Sequence, residues 1–535
     1  MTSIGSFDYI IVGAGSAGCV LANRLSASGR HRVLLLEAGG RDSNPWIHIP
    51  LGYGKLFNNA EVNWKFQSEP QAFLGDRIVN LPRGKVLGGS SSINGLVYIR
   101  GQQQDFDHWR ELGNRGWSYE DVLPYFRKAE DQERGSDSYH GAGGPLPVSD
   151  PSEPNDICDA FIAAAKAAGH PINTDFNGAT QEGAGYFQST SRRGLRVSSA
   201  VAYLEPAKRR PNLAVLTKAH ATRLLFDDNH NVCGVEWLRD GQHECATAGG
   251  EVILAAGAFG TPQLLQLSGL GPGDLLRERG IVVRKQLRGV GANLQDHYQV
   301  RLVAGVTKPI TFNDDMRNIF RMSRVGLRFL LRRRGPLTIS AGYAGGFFRT
   351  DSGLATPDIQ VHLLNFSSSK LGDKLDPFSA FTLSSCQLRP ESRGTVIIRS
   401  ADPLEAPLIN PNYLATETDR RVTVAGVKLL RSIVRTFPLC ALVEMEREPG
   451  VAVSSDEDLL NYCRERGGSI HHASCTARMG SGPDAVVDEQ LRVHGVGRLR
   501  IADGSVMPTI VSGNTHAAIV MIGEKAADLI LRSAA

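Results

Sequence analysis

Three imidazoles near the C-terminal end of this 535-residue chain, the adjacent His471 and His472 and then His516, have the chemistry to move a proton near neutral pH. At the other end, Gly13-Ala14-Gly15-Ser16-Ala17-Gly18 follows directly on the apolar run Phe7-Asp8-Tyr9-Ile10-Ile11-Val12. Glycines at that spacing after a strand suit the pyrophosphate of a dinucleotide. Together the two ends suggest redox chemistry on a small molecule.

The elements that must position these groups can be read locally. Residues 7–12 predict one buried parallel strand. Gly13 permits the tight turn, Gly15 lets backbone approach the phosphates, and Gly18 lets the next helix pack on the sheet. That helix, predicted over 16–28, aims its positive end at the phosphates from Ser16. A second strand over 32–36 ends at Glu37, an acid placed to bond ribose hydroxyls. An acid there argues against a 2′-phosphate, hence against NADP.

Bulk properties narrow the class. A 41% hydrophobic chain of this length buries a large core and predicts two or more domains or one large composite. Lys plus Arg (59) nearly balance Asp plus Glu (55), too evenly to imply nucleic acid, and no nucleic-acid partner is expected. No secretion signal pattern and no run of 18 apolar residues is visible, and eight scattered cysteines lack any CxxC pair. The expected location is therefore cytoplasmic, with thiols rather than disulfides. No zinc-ligand spacing appears, so no metal is expected. Long functional loops are predicted over 40–115 and a boundary over 131–155. Helices are predicted over 156–168 and 419–437. Strands are predicted over 213–217, 232–238, 251–256, 358–363 and 395–399. The segment 317–334 reads as a basic amphipathic helix from Arg317 to Arg334. It is expected to be a solvated face or a peripheral contact with an anionic inner membrane surface.

A second glycine segment, Pro82-Arg83-Gly84-Lys85-Val86-Leu87-Gly88-Gly89-Ser90-Ser91-Ser92-Ile93-Asn94-Gly95, offers backbone N–H groups and hydroxyls to an anion. With it the chain resembles the glucose–methanol–choline (GMC) oxidoreductases, which are FAD enzymes. Five blocks carry the resemblance: 13–18 with Glu37, 84–101, 257–271, 472–480 and 503–525. Among family members it looks most like bacterial enzymes acting on primary alcohols, including sorbose- and choline-dehydrogenase types. The implied fold is α/β (an α+β composite): a Rossmann-like FAD-binding domain from 1–155, 190–300 and 466–535, and a substrate domain from 156–189 and 301–465 with a largely antiparallel sheet flanked by helices.

The resemblance implies FAD with pyrophosphate over Gly13, Gly15, Ser16 and Gly18, and ribose on Glu37. The loop with Gly84, Gly89, Ser90, Asn94 and Val97 would cover the flavin, Ala221 backbone would meet adenine, and Asp503, Gly504 and Thr515 would meet the ribityl side. Ile93 stands where some members carry a flavin-linked histidine, so FAD is expected to be non-covalent. His472, in His472-Ala473-Ser474-Cys475-Thr476-Ala477-Arg478-Met479-Gly480, matches the family's general base. His516 is expected to hold the substrate oxygen, at the start of a helix over 515–531 capped by Asn514. His471, Leu96, Tyr53 and Phe57 are candidate substrate-lining residues. The expected reaction is oxidation of a small primary alcohol to the aldehyde by hydride transfer to flavin N5, with electrons passing to a quinone, dye or O2. A hydroxynitrile-type lyase or a photoenzyme on the same scaffold are the alternatives.

Overall fold

The computed structural model describes residues 2–369, 372 and 374–534. Its first strand, Thr2–Val12, starts before the apolar run, and only its second half is buried. That half lies between Val33–Leu36 and Gln242–Leu254, both parallel to it. Leu213–Leu216 extends the sheet on one side and Leu499–Ile501 pairs with Gln242–Leu254, again in parallel. All four residues of Val33–Leu36 are buried, as an unbroken apolar strand covered on both faces requires. Val232–Arg239 and His220–Phe226 then add antiparallel strands at the far edge.

Two helices from opposite ends of the chain pack together beside this sheet. Ser16–Ser26 leaves the first strand, and His516–Ser533 lies against it. Gly523 sets the close approach, since a Cβ there would stand 3.1 Å from Ala17 Cα. This contact carries His516 to the glycine turn.

The second sheet is antiparallel throughout, in the order Val443–Glu448, Tyr298–Val306, Ala380–Gln387, Ile359–Leu364, Ala344–Phe348, Gly183–Tyr186. Helices Asp156–Ala167 and Glu417–Val434 bury Ile157, Phe161, Val422, Leu430 and Ile433 with Leu302, Val361 and Leu383 of its strands. The predicted helix 419–437 begins two residues early because Thr416 Oγ1 accepts the Asp419 N–H. The strand predicted over 395–399 is Thr395–Ile397, in a ribbon with Leu408–Asn410 rather than in the large sheet. The basic segment is two helices, Phe312–Arg317 and Ile319–Arg332. They are broken at Asn318, whose side chain accepts the Phe320 and Arg321 N–H groups. Among the described residues no helix is long and apolar enough to cross a membrane, and all eight cysteines are free thiols.

Candidate active site

One cavity is walled by both sheets and by the long loops between residues 50 and 97. It brings together Gly13, Gly15, Ser16 and Glu37 from the first strand–helix–strand unit, and Gly84, Gly89, Ser90, Asn94, Leu96 and Val97 from the second glycine segment. Tyr53, Phe57, Ala221, His471, His472, Asp503, Gly504, Thr515 and His516 complete the predicted set. Gly18 is the exception and does not line the cavity. A Cβ on it would fall 1.9 Å from the Gly13 carbonyl oxygen, so it serves the turn from behind.

At one end the wall is backbone. Gly13 adopts φ +102°, and a Cβ on it would sit 2.5 Å from the Ala255 carbonyl oxygen. Gly89, at φ +53°, lies directly on the first glycine turn, because its Cβ would meet Gly15 Cα at 2.7 Å. Three helices, Ser16–Ser26, Gly257–Leu267 and His516–Ser533, begin on the cavity, and none has its N-cap side chain bonded to its first turn. All three therefore bring positive helix ends to the cavity wall, which favours negative charge within it. Glu37 accepts the Ala14 N–H (3.0 Å) and the Gly39 N–H (2.8 Å), and burial raises its carboxyl to about 7. The Asp503 carboxylate is taken up by protein donors, the Gly257 N–H (2.8 Å), the Thr261 hydroxyl (2.6 Å) and the Ser505 N–H (2.8 Å).

The imidazoles line the rest of the wall, His516 against the glycine turn through Ser16. Four groups form a chain whose direction follows from a single carbonyl. His297 Nε2 lies 2.9 Å from the Leu388 carbonyl oxygen, which only accepts, so this nitrogen carries the proton. Burial holds His297 neutral, so its Nδ1 is a lone pair. His472 Nδ1, 2.9 Å away, must then donate to it. That leaves the lone pair of His472 on Nε2, where the Asn514 amide Nδ2 donates at 3.1 Å. Asn514 Oδ1 in turn accepts from Gln360 Nε2 at 3.0 Å. The predicted capping role of Asn514 is thereby overturned. Thr515 is the N-cap, the helix runs His516–Ser533, and the Asn514 side chain bonds to tertiary partners. Burial, then the neighbouring His297, His362, His471 and Arg83, hold the His472 imidazole well below its ordinary pKa.

His516 Nδ1 bonds Ser16 Oγ at 3.0 Å, while its buried Nε2 has no protein partner and belongs to the cavity wall. Burial, then Arg196, hold it down to about 4. His471 sits at φ +70°, its carbonyl oxygen gripped by Arg83 (2.5 Å) and its ring against Phe57. Burial, then Arg83 and Arg301, lower it to about 3. It is a wall residue held neutral by its surroundings.

Local sequence reasoning did not reach several of the supports. Asp296 accepts the His472 N–H (2.7 Å), the Ser469 hydroxyl (2.5 Å) and the Tyr413 hydroxyl (2.6 Å), and so fixes the His471–His472 segment. The buried Arg196 donates to Asn94 Oδ1 at 2.7 Å, and Asn94 Oδ1 also accepts the Leu96 N–H at 3.1 Å. The adjacent Asp296-His297 pair, an acid beside an imidazole at the start of a strand, was the available signal.

Residues 7–299 and 390–523 match the GMC oxidoreductase family. The chain is 43% identical over 530 residues to an alcohol dehydrogenase [acceptor] of Pseudomonas putida, covering 98% of this chain and 96% of that protein. It is 42% identical over 529 residues to an oxygen-dependent choline dehydrogenase of Vibrio vulnificus, covering 98% and 94%. Among solved structures, a formate oxidase variant of Aspergillus oryzae, studied for FAD modification, superimposes with a TM-score of 0.93 at 28% identity, covering 100% and 99%. With two glycine loops against one another at one end and a directed imidazole chain at the other, the chain belongs to the GMC oxidoreductase family.

Proposed function

We propose that this oxidoreductase acts on the CH–OH group of a small primary alcohol, with FAD bound in the cavity and His472 taking the hydroxyl proton. The observation that carries the reading is the lone pair left on His472 Nε2 by the chain through His297, in a cavity whose other end is bare backbone and helix N-termini. The glycine end fits a dinucleotide. Gly13, Gly15 and Ser16 would hold the pyrophosphate, Glu37 the ribose and Ala221 the adenine. Gly84, Gly89, Ser90, Asn94 and Val97 would hold the flavin, and Asp503, Gly504 and Thr515 its ribityl side. Gly18 supports the turn beneath. When bound, FAD supplies the acceptor of the hydride, at N5. Nothing but Ile93 stands at the position of the flavin-linked histidine, so the flavin is held without a covalent bond.

The chain's own residues divide the remaining task. A neutral imidazole at Nε2 accepts the hydroxyl proton once the Asn514 N–H, which occupies that lone pair at 3.1 Å, turns to the substrate oxygen. His516, with Nε2 unpartnered by protein and Nδ1 anchored on Ser16, stabilises the developing alkoxide. Tyr53, Phe57, Leu96 and His471 line the substrate end. We assign FAD binding to 1–155, 190–300 and 466–535 and the substrate to 156–189 and 301–465, supported by a cavity to which both sheets contribute.

Anaerobic titration of the yellow protein with aliphatic, aryl, furanic, polyol and choline substrates tests this. One class should bleach the oxidised-flavin band, and acid precipitation of the same sample should leave the flavin in the supernatant. Protein that binds FAD but bleaches with no alcohol would sink the reading. Admitting air afterwards separates an oxidase from a dehydrogenase.

The pH dependence is also fixed in sign. A base works only when unprotonated, and His472 is held well below the ordinary value of about 6.5. The reduction rate constant should therefore stay flat from about pH 8 down through about pH 6, rather than halving near 6.5. Stopped-flow reduction across that range checks it. A fall centred near the unperturbed histidine value would show that the base is not this buried group.

A further inference from the structure

The helix Ile319–Arg332 turns only a narrow side inward. Val325 and Phe329 are buried, and Val325 packs with Phe312 and Phe366. At about 100° per residue, Ile319, Leu330, Leu327, Phe320 and Leu331 fall within one arc of about 120° on the other side. Their exposures are 61, 68, 58, 83 and 74% respectively. The wider apolar face thus points to water, which a helix built only to cover the core would not do. On one flank of this arc stand Arg324, Arg328, Arg321 and Arg332. Residues 317–334 hold seven arginines and no acid, in a chain whose net charge is only +4. Arg317 pairs with Asp314 and Arg328 with Glu153, while Arg324, Arg332, Arg333 and Arg334 form no ion pair among the described residues.

We infer that this face docks the protein on an anionic lipid surface. The five apolar side chains would enter the boundary between headgroups and acyl chains. The arginines alongside would lay their stems on the same surface and meet lipid phosphates. Charge of one sign, segregated along one flank of an outward apolar stripe, fits a sheet of phosphates better than a protein partner with mixed charge. Leu364 packs in the cluster beneath this helix and also lines the cavity, so the docked surface lies one side chain from the substrate compartment.

Flotation of the holoenzyme with two kinds of vesicle tests the inference: phosphatidylcholine alone, and phosphatidylcholine with about one third phosphatidylglycerol. The protein should float with the anionic vesicles, less so at high salt, and the double variant F320E/L331E should bind at least about tenfold more weakly. Both proteins should reduce their flavin equally with a water-soluble alcohol, which shows the variant folded. Absence of the protein from floated anionic vesicles overturns the inference, as does undiminished binding by the double variant. So does a wild-type dimer that the double variant dissolves in light scattering, because the face would then belong to a second copy of the chain.

Discussion

His472→Ala should retain FAD yet reduce it about 10³-fold more slowly with saturating alcohol, a loss of about 4 kcal/mol in the reductive step. FAD should stay because the segment's placement rests on backbone. The His472 N–H is held by Asp296, and that carboxylate keeps its Ser469 and Tyr413 donors when the imidazole is gone. The rate should fall because the lone pair beside the Asn514 amide is lost. His297 Nδ1, the partner left behind, is fully buried and its Nε2 is tied to Leu388. His516 is held to Ser16 through its Nδ1, and the role proposed for it is to stabilise the oxygen rather than to carry the proton away. Single-turnover reduction followed at the flavin band is the measurement, with flavin content determined on the same sample. A rate within about threefold of wild type would remove His472 from the base role. A more severe loss in His516→Ala would exchange the two roles.

The glycine turn, its strand and its helix were legible because their logic is local. An apolar run, three glycines and an acid occupy 31 consecutive positions, Phe7 to Glu37, and each residue's function is set by its sequence neighbours. His472 and His516 were legible through the blocks around them. Their supports were not. His297 meets His472 across 175 residues and Arg196 meets Asn94 across 102, and nothing in the periodicity of either segment signals such a pairing. Asn514 shows how a sound local rule loses. Asparagine before a helix is a good cap, but here two tertiary hydrogen bonds, to His472 and from Gln360, claim its amide. The basic helix was legible in part. Its amphipathic pattern was visible, yet only packing could reveal that Phe320 and Leu331 face water while Val325 and Phe329 face the core.

Gly13→Ala should abolish stoichiometric FAD binding and lower the unfolding temperature, and it tests whether the glycine end of the cavity is as rigid as its geometry implies. Two independent penalties fall on one methyl group. The residue sits at φ +102°, where a Cβ costs about 1–2 kcal/mol. The new carbon would also lie 2.5 Å from the Ala255 carbonyl oxygen, an overlap that costs about 1–3 kcal/mol when neighbours cannot yield. They cannot yield here. The Gly13 N–H is bonded to Leu36 (2.8 Å) and the Ala255 N–H to Val12 (2.8 Å), so both sides of the clash belong to the central parallel strands. Together the penalties amount to about 3 kcal/mol, or about 10² in the population that presents a pyrophosphate site. Gly326→Ala supplies the control for the same chemical change. That residue lies within the helix Ile319–Arg332, has an ordinary helical backbone and open space around its Cβ position, and should gain rather than lose up to about 1 kcal/mol. Flavin content per mole of protein and thermal unfolding of the two variants decide the matter. A Gly13→Ala protein that is as yellow and as stable as Gly326→Ala would mean that the first strand and Ala255 can part without cost, and the rigid backbone cradle would have to be given up.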